Sequence, residues 1–359
     1  MKNWRVMTEF TRPLLSWYRK SGRHDLPWQE DPSCYRVWVS EIMLQQTQVS
    51  TVIPYYQRFM QDFADVTKLA ESNIDSVLHL WTGLGYYARA RNLHKTAQLV
   101  CSEYGGKFPH DLDALMTMPG IGRSTAGAIL ALGLNQSVAI LDGNVKRVLT
   151  RFHAIAGWPG NKKIEDQLWL LAEQHTPAQN AAEYTQAIMD LGATLCKRSQ
   201  PDCQRCPVKA GCQAQKQNLQ QLLPERKPKK ILPVRQIKFV IIENAEGDIL
   251  LERRPPTGIW GGLWGFPECS IDQEPGAWLD SNKGYIAEVL YEQPVIRHTF
   301  SHFHLDITPV KLLLRSVANA VEDKVEQCWY KPDGNLNLGM AAPVKKLMDG
   351  LFSTAAGEC

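Results

Sequence analysis

The sequence predicts a mostly α N-terminal domain joined by a basic linker to a smaller α+β domain. Three observations carry this. A chain of 359 residues, 44% of them apolar, is long enough for about two cores at roughly 150 residues each. Helix-length segments separated by Gly, Pro or polar breaks fill residues 1–223. From residue 236 to 359 the pattern changes to short β-type runs and Gly/Pro-rich turns.

In the first part the helical segments are Tyr35–Val49, Ile74–Trp81, Ala88–Tyr104, Thr125–Leu134, Val145–Phe152, Lys163–His175 and Ala181–Leu195. Pro224–Arg235 holds three prolines and five basic residues with little that packs into a core, so residues 224–235 read as an exposed linker. Beyond it, Ile237–Ile242 and Asp248–Leu251 read as strands, Arg253–Pro267 as a Gly/Pro/Trp-rich loop, and Phe303–Leu314 as a further strand region.

Net charge is +3, but its distribution is uneven: residues 196–238 hold eleven basic and two acidic side chains, so this stretch is +9 and the remainder −6. Such a concentration in a nearly neutral chain points to a polyanionic partner. No apolar run approaches a membrane span, and Met1–Phe10 contains Glu9 and no apolar core, so neither a membrane anchor nor a secretory leader is expected. A cytoplasmic, reducing location follows, in which the nine cysteines are not expected to form structural disulfides. Four of them, Cys196, Cys203, Cys206 and Cys212, fall within 17 residues. Metal ligation is the better reading of that cluster, and thiolates at this spacing suit either zinc or an iron–sulfur cluster.

Residues 112–130 read as a helix, a tight Pro119-Gly120-Ile121-Gly122 turn and a second helix. Gly120 and Gly122 permit positive φ and close backbone approach. Free N–H groups at the start of the second helix then hold a phosphate without reading sequence. An ordinary helical hairpin is the bland alternative for such a turn taken alone.

Two carboxylates suggest the chemistry. Asp142 follows the apolar run Val138–Leu141 and precedes a helix; an N-cap is its structural reading. Glu41 sits in Val-Trp-Val-Ser-Glu-Ile-Met-Leu, where apolar flanks predict desolvation and a proton retained near neutral pH. One protonated acid beside one ionised carboxylate is the pairing that glycosidic cleavage needs. Asn144, two residues on, is placed to orient these groups or a water.

The cysteine spacing at the end of a helical domain and the Pro-Gly-Ile-Gly turn, with Asp142 twenty residues after Gly122, resemble the endonuclease III superfamily of DNA glycosylases. The resemblance implies a helix–hairpin–helix glycosylase domain and one 4Fe-4S cluster on Cys196, Cys203, Cys206 and Cys212, which folds a basic loop against DNA. It also assigns catalysis to Asp142. Leu26-Pro-Trp28, Trp38–Val49, Gly83–Asn92 and Leu141–Arg147 are similar to the MutY-type adenine DNA glycosylases. By that resemblance Glu41 protonates the purine, at N7, and Asp142 stabilises the sugar cation or traps it. Trp28, Leu44 and Gln186 line the extruded-adenine pocket. Gln46 and Tyr86 probe the stack, and Thr47 and Leu84 hold the opposite base. At residue 124 the lyase members of the superfamily carry a lysine and many MutY-type members a tyrosine; Ser124 here predicts base removal with little strand cleavage.

Arg254–Pro267 resembles the opening of a Nudix domain, but no metal-binding Arg-Glu-x-x-Glu-Glu helix follows, so a pyrophosphatase is disfavoured. The domain resembles the oxidised-guanine reader of the MutY-type family, with Phe300, Ser301 and His302 as its sensing tip. His298, His302 and His304 would share a face of one straight strand, but a turn at Phe300-Ser301 breaks that alignment and disfavours zinc. The expected partner is double-stranded DNA with adenine opposite 8-oxoguanine or guanine, met by a monomer.

Overall fold

The computed structural model describes residues 9–227, 231–317, 325–331 and 338–353. Residues 1–8, read above for a leader, and 228–230 of the linker segment lie outside them. The chain divides into two compact units, Met1–Glu71 with Asn92–Lys229, and Ser72–Arg91 with Lys230–Cys359.

Helices α1 (Thr11–Ser21), α2 (Cys34–Leu44), α3 (Val49–Asp62), α4 (Val66–Glu71), α5 (Ile74–Leu80), α6 (Ala88–Tyr104), α7 (Leu112–Met116), α8 (Arg123–Leu134), α9 (Gly143–Phe152), α10 (Lys162–His175) and α11 (Ala181–Asp190) follow in order, and α12 (Gln213–Lys216) ends the cysteine loop. In the first unit, Leu14, Leu15, Leu141, Val145, Leu149, Leu168, Ile188 and Leu191 form one core joining α1, α9, α10 and α11. Burial of these side chains supplies the driving force for the unit.

Two segments differ from the sequence expectation. Tyr35–Val49 is not one helix: α2 stops at Leu44 and α3 starts at Val49, with Gln46 in the left-handed region at φ 59°. The polar Gln45–Gln48 run has no apolar face to bury, so the chain turns there. Ala181–Leu195 is α-helical only to Asp190 and continues as a wider π turn over Leu191–Leu195. Helices α1, α4 and all but the first residue of α3 lie outside the expected helical segments, although the apolar residues of α1 recur at helical spacing.

The second unit is built on a sheet of β1 (Val234–Glu243), β2 (Ile249–Arg253), β3 (Trp264–Gly265), β4 (Glu268–Ser270), β5 (Tyr285–Glu292), β6 (Ile296–Thr299), β7 (His304–Val317) and β8 (Gln327–Tyr330), with α13 (Pro275–Lys283) and α14 (Ala342–Ser353). Its order is β3-β2-β1-β7-β5, while β4 pairs with β1, β6 with β7 and β8 with β2. Strands β1 and β7 run parallel from Val234 opposite His304 to Glu243 opposite Leu313. Val240, Ile242, Leu250, Leu279, Val310 and Leu312 form the core under α13. Strand β1 begins at Val234, so the end of the linker segment is already in the sheet. The segment Ser72–Arg91 groups with this unit: Tyr87 donates its hydroxyl to Met340 O at 2.8 Å and Arg253 pairs with Asp75 at 2.8 Å.

Candidate active site

A cavity of about 440 Å³ in the first unit gathers Trp28, Glu41, Leu44, Gln46, Thr47, Ser124, Asp142, Asn144 and Gln186. These come from distant parts of the chain, and each is placed by its own local structure. Trp28 sits in a 3-10 turn, Pro27–Gln29, closed by Gln29 accepting the Leu26 N–H at 3.2 Å; its ring meets Tyr56 edge-on at 5.4 Å. Glu41 lies one turn before the end of α2, between buried Ser40 and Ile42. Asp142 is the N-cap of α9, accepting the Val145 N–H at 2.7 Å. The cap reading of Asp142 is thus what the structure shows, and the same residue lines the cavity.

The environments of the two carboxyls separate their proton affinities. Glu41 is pushed up to about 8, first by desolvation and then by the negative charge of Asp142. Desolvation raises Asp142 too, but the Val145 N–H, the Asn144 amide and the Arg147 guanidinium all favour its charged form. The proton of the pair therefore resides on Glu41, and Asp142 is the anion. Asn144 donates to Asp142 Oδ2 at 3.1 Å, and Arg147 donates to Asn144 Oδ1 at 2.8 Å. Arg147 also donates to the carbonyls of Gly192 and Cys196, both at 2.7 Å. Gly192 has to lack a side chain: a Cβ there would stand 2.5 Å from Asn144 Cβ.

Ser124 accepts the Leu141 N–H at 3.0 Å, so its hydroxyl holds the backbone leading into Asp142. The Lys146 amine is paired with Glu165 at 2.6 Å. Sequence reading missed Arg23, which lines the cavity, as well as Asp190 and Arg147 behind it. For the last two, spacings of four from Gln186 and three from Asn144 along a helix were the available signals.

The turn before α8 has Gly120 at φ 81°, where a Cβ would lie 3.0 Å from Asn92 Cβ. Thr96 fixes it by donating to Pro119 O at 2.9 Å, and Gly122 caps α8 without a side-chain acceptor. In the second unit, Arg89 donates to Leu84 O and Gly85 O, holding a loop that buries Leu84 and leaves Tyr86 53% exposed at φ 50°. Phe300-Ser301-His302-Phe303 forms the turn between β6 and β7, closed by Phe300 N–H donating to Phe303 O at 2.9 Å. Ser301 and His302 are exposed at this tip, and Phe300 packs on Trp260 and Phe303. The turn splits the three histidines as expected.

In the cysteine loop, Arg151 donates to Cys196 Sγ at 3.3 Å, and the Cys212 thiol lies 3.5 Å from Arg151 O. Burial pushes Cys206 up to about 12 and raises Cys203 and Cys212, and the neighbouring cysteines raise all three further. Among the described residues, no three His, Cys, Asp or Glu side chains are gathered as ligands of a single ion.

Residues 39–174 match the HhH-GPD superfamily of base excision DNA repair proteins, and residues 238–350 match the NUDIX domain. The chain is 40% identical over 340 residues to an adenine DNA glycosylase of Buchnera aphidicola subsp. Acyrthosiphon pisum (strain APS), covering 95% of this chain and 97% of that protein. It is 35% identical to the adenine DNA glycosylase of Homo sapiens, covering 98% of this chain and 76% of the human protein. A thermostable thymine-DNA glycosylase of known structure superposes with a TM-score of 0.51 at 25% identity, over 58% of this chain and 95% of that one.

Proposed function

The chain belongs to the adenine DNA glycosylase family, and from that premise we propose that it removes adenine opposite 8-oxoguanine or guanine, with Glu41 as general acid and Asp142 as the stabilising anion. The observation that carries the residue roles is the split between two carboxyls on one cavity, Glu41 at about 8 and Asp142 held by donors.

Extruding the adenine brings its glycosidic bond to the cavity, which a stacked duplex does not allow. Neutral Glu41 gives its proton to purine N7 as the C1′–N9 bond breaks, and the electron pair leaves with the base. Asp142 faces the cationic sugar, a charge complement that needs no reorganisation because Asn144 and Val145 already fix it. Water adds to C1′ and returns a proton to Glu41, leaving an abasic site and free adenine. Trp28 and Leu44 supply apolar walls, and Gln186 offers an amide to the base edge. Gln46 and Thr47 line the cavity; the family resemblance gives Gln46 and Tyr86 the probing of the stack, and Thr47 and Leu84 the holding of the opposite base. Ser124 provides no amine for a Schiff base, so base removal proceeds with little strand cleavage.

Backbone N–H groups after Gly120 and Gly122 and the basic stretch from 196 to 238 serve DNA phosphates. Phe300, Ser301 and His302 read the oxidised guanine, a role supported by the exposed Ser301 hydroxyl on a hairpin braced by aromatic rings. The cysteine donor set fits a 4Fe-4S cluster: four thiols stand in one short loop, and Arg151 donates to Cys196 Sγ at 3.3 Å, which favours the thiolate form that such a cluster needs. When bound, the cluster folds this basic loop. The working form is a cytoplasmic monomer.

Glu41→Gln and Asp142→Asn test the roles. Each should slow single-turnover adenine release by about 10²-fold or more while duplex affinity holds. Unchanged release by either variant would remove that residue from the mechanism.

A further inference from the structure

Behind the cavity wall lies a carboxylate that the mechanism above does not use. Asp190, the last residue of α11, has no exposed side-chain surface. It accepts from the Arg23 backbone N–H at 2.7 Å, from Arg23 Nε at 2.9 Å and from Arg23 Nη2 at 2.6 Å. One further donor reaches it from one helical turn earlier: Gln186 Nε2, at 2.9 Å.

We propose that Asp190 is a positioning residue for base selection, locking the Gln186 amide so that its carbonyl faces the adenine. A carboxylate only accepts hydrogen bonds, so the NH₂ end of Gln186 must turn toward it. The opposite orientation would set two acceptors against each other in a buried site, with nothing to donate between them. Arg23 holds the carboxylate in place through three donors, so Asp190 cannot turn to relieve such a clash. Gln186 lines the cavity, and its remaining polar atom is Oε1. On the edge that carries N7, adenine offers its 6-amino group as a donor, which Oε1 accepts. Hypoxanthine has the same N7 but a 6-oxo acceptor, which meets Oε1 as a like partner. The locked amide thus distinguishes a 6-amino from a 6-oxo purine, a distinction that protonation at N7 does not make.

This inference rests on the reading of the cavity as the adenine pocket, and base analogues separate the two. Single-turnover release of adenine and of hypoxanthine is measured from duplexes alike in every other position. Asp190→Leu keeps the branched shape but removes the acceptor that fixes Gln186 Nε2, so the Gln186 amide is free to turn. The expected result is an adenine-to-hypoxanthine rate ratio reduced by about tenfold or more, with slower adenine release and unchanged or faster hypoxanthine release. In a Gln186→Met background, Asp190→Leu should leave the ratio where Gln186→Met alone has put it. A parallel fall of both rates, with the ratio intact, would make Asp190 a merely structural residue and overturn the proposal. Should Asp190→Leu not fold, Gln186→Met decides: an unchanged ratio shows that no amide reads this edge. Adenine release surviving in Gln186→Met with an unchanged ratio would sink this inference and leave the glycosylase assignment standing.

Discussion

Asp142 caps α9 and faces the cavity with the same carboxylate, and substitutions can part these two roles. Asparagine is as good an N-cap as aspartate, so Asp142→Asn should unfold in urea close to the wild-type midpoint while losing base release. Asp142→Ala should lose both, with a stability deficit of about 1 kcal/mol. Glu41 makes the complementary prediction. Its affinity for a proton is raised in the folded state, so the acid form is present below about pH 8 and is lost above it. The single-turnover rate should therefore fall as pH rises through about 8. The same shift acts on stability: its contribution is full below the unfolded carboxyl's range and is lost as pH rises toward 8. Glu41→Gln should consequently unfold at higher urea than the wild type at pH 8, and the difference should vanish near pH 4. Glu41 was legible in sequence because its apolar neighbours announce burial. Asp190 was not, because the Arg23 that holds it lies far away in the chain.

The helical elements carry two constraints that operate at their junctions. The π turn Leu191–Leu195 brings Gly192 against Asn144, closer than a Cβ allows. Gly192→Ala should push Asn144 off Asp142 and slow adenine release by about tenfold or more, with a loss of roughly 1–3 kcal/mol in urea unfolding. At the other end of α9, His153 Nε2 and His175 Nε2 lie 2.8 Å apart, so a single proton serves both rings. Burial, with the neighbouring ring second, depresses His175 to about 4, and burial lowers His153. Their contribution is thus full above the ordinary histidine value of 6.5 and is lost as pH falls toward 4. Replacing both rings by Phe should flatten the stability profile between those limits, which urea midpoints across the range will show. Most of the helices and the Pro-Gly-Ile-Gly turn were readable from apolar spacing. The Leu44 stop of α2 and the π turn were not: the first is a local choice by polar residues, the second a response to tertiary packing.

At the scale of the molecule, the change from helical to strand-like sequence was visible, and so was the concentrated positive charge. The parallel β1–β7 pairing and the grouping of Ser72–Arg91 with the second unit were invisible, since both depend on contacts between distant segments. Division of labour between the units yields one further prediction. Ser301→Ala should slow release opposite 8-oxoguanine more than opposite guanine, because the hydroxyl at the hairpin tip is proposed to contact only the altered base edge. The most direct test of the whole account uses end-labelled duplexes with adenine opposite 8-oxoguanine, guanine, thymine or cytosine, under single-turnover conditions, with and without alkali. The account predicts breaks at the adenine that need alkali and form fastest opposite 8-oxoguanine, then guanine. Alkali-independent breaks, or release that ignores the opposing base, would contradict it.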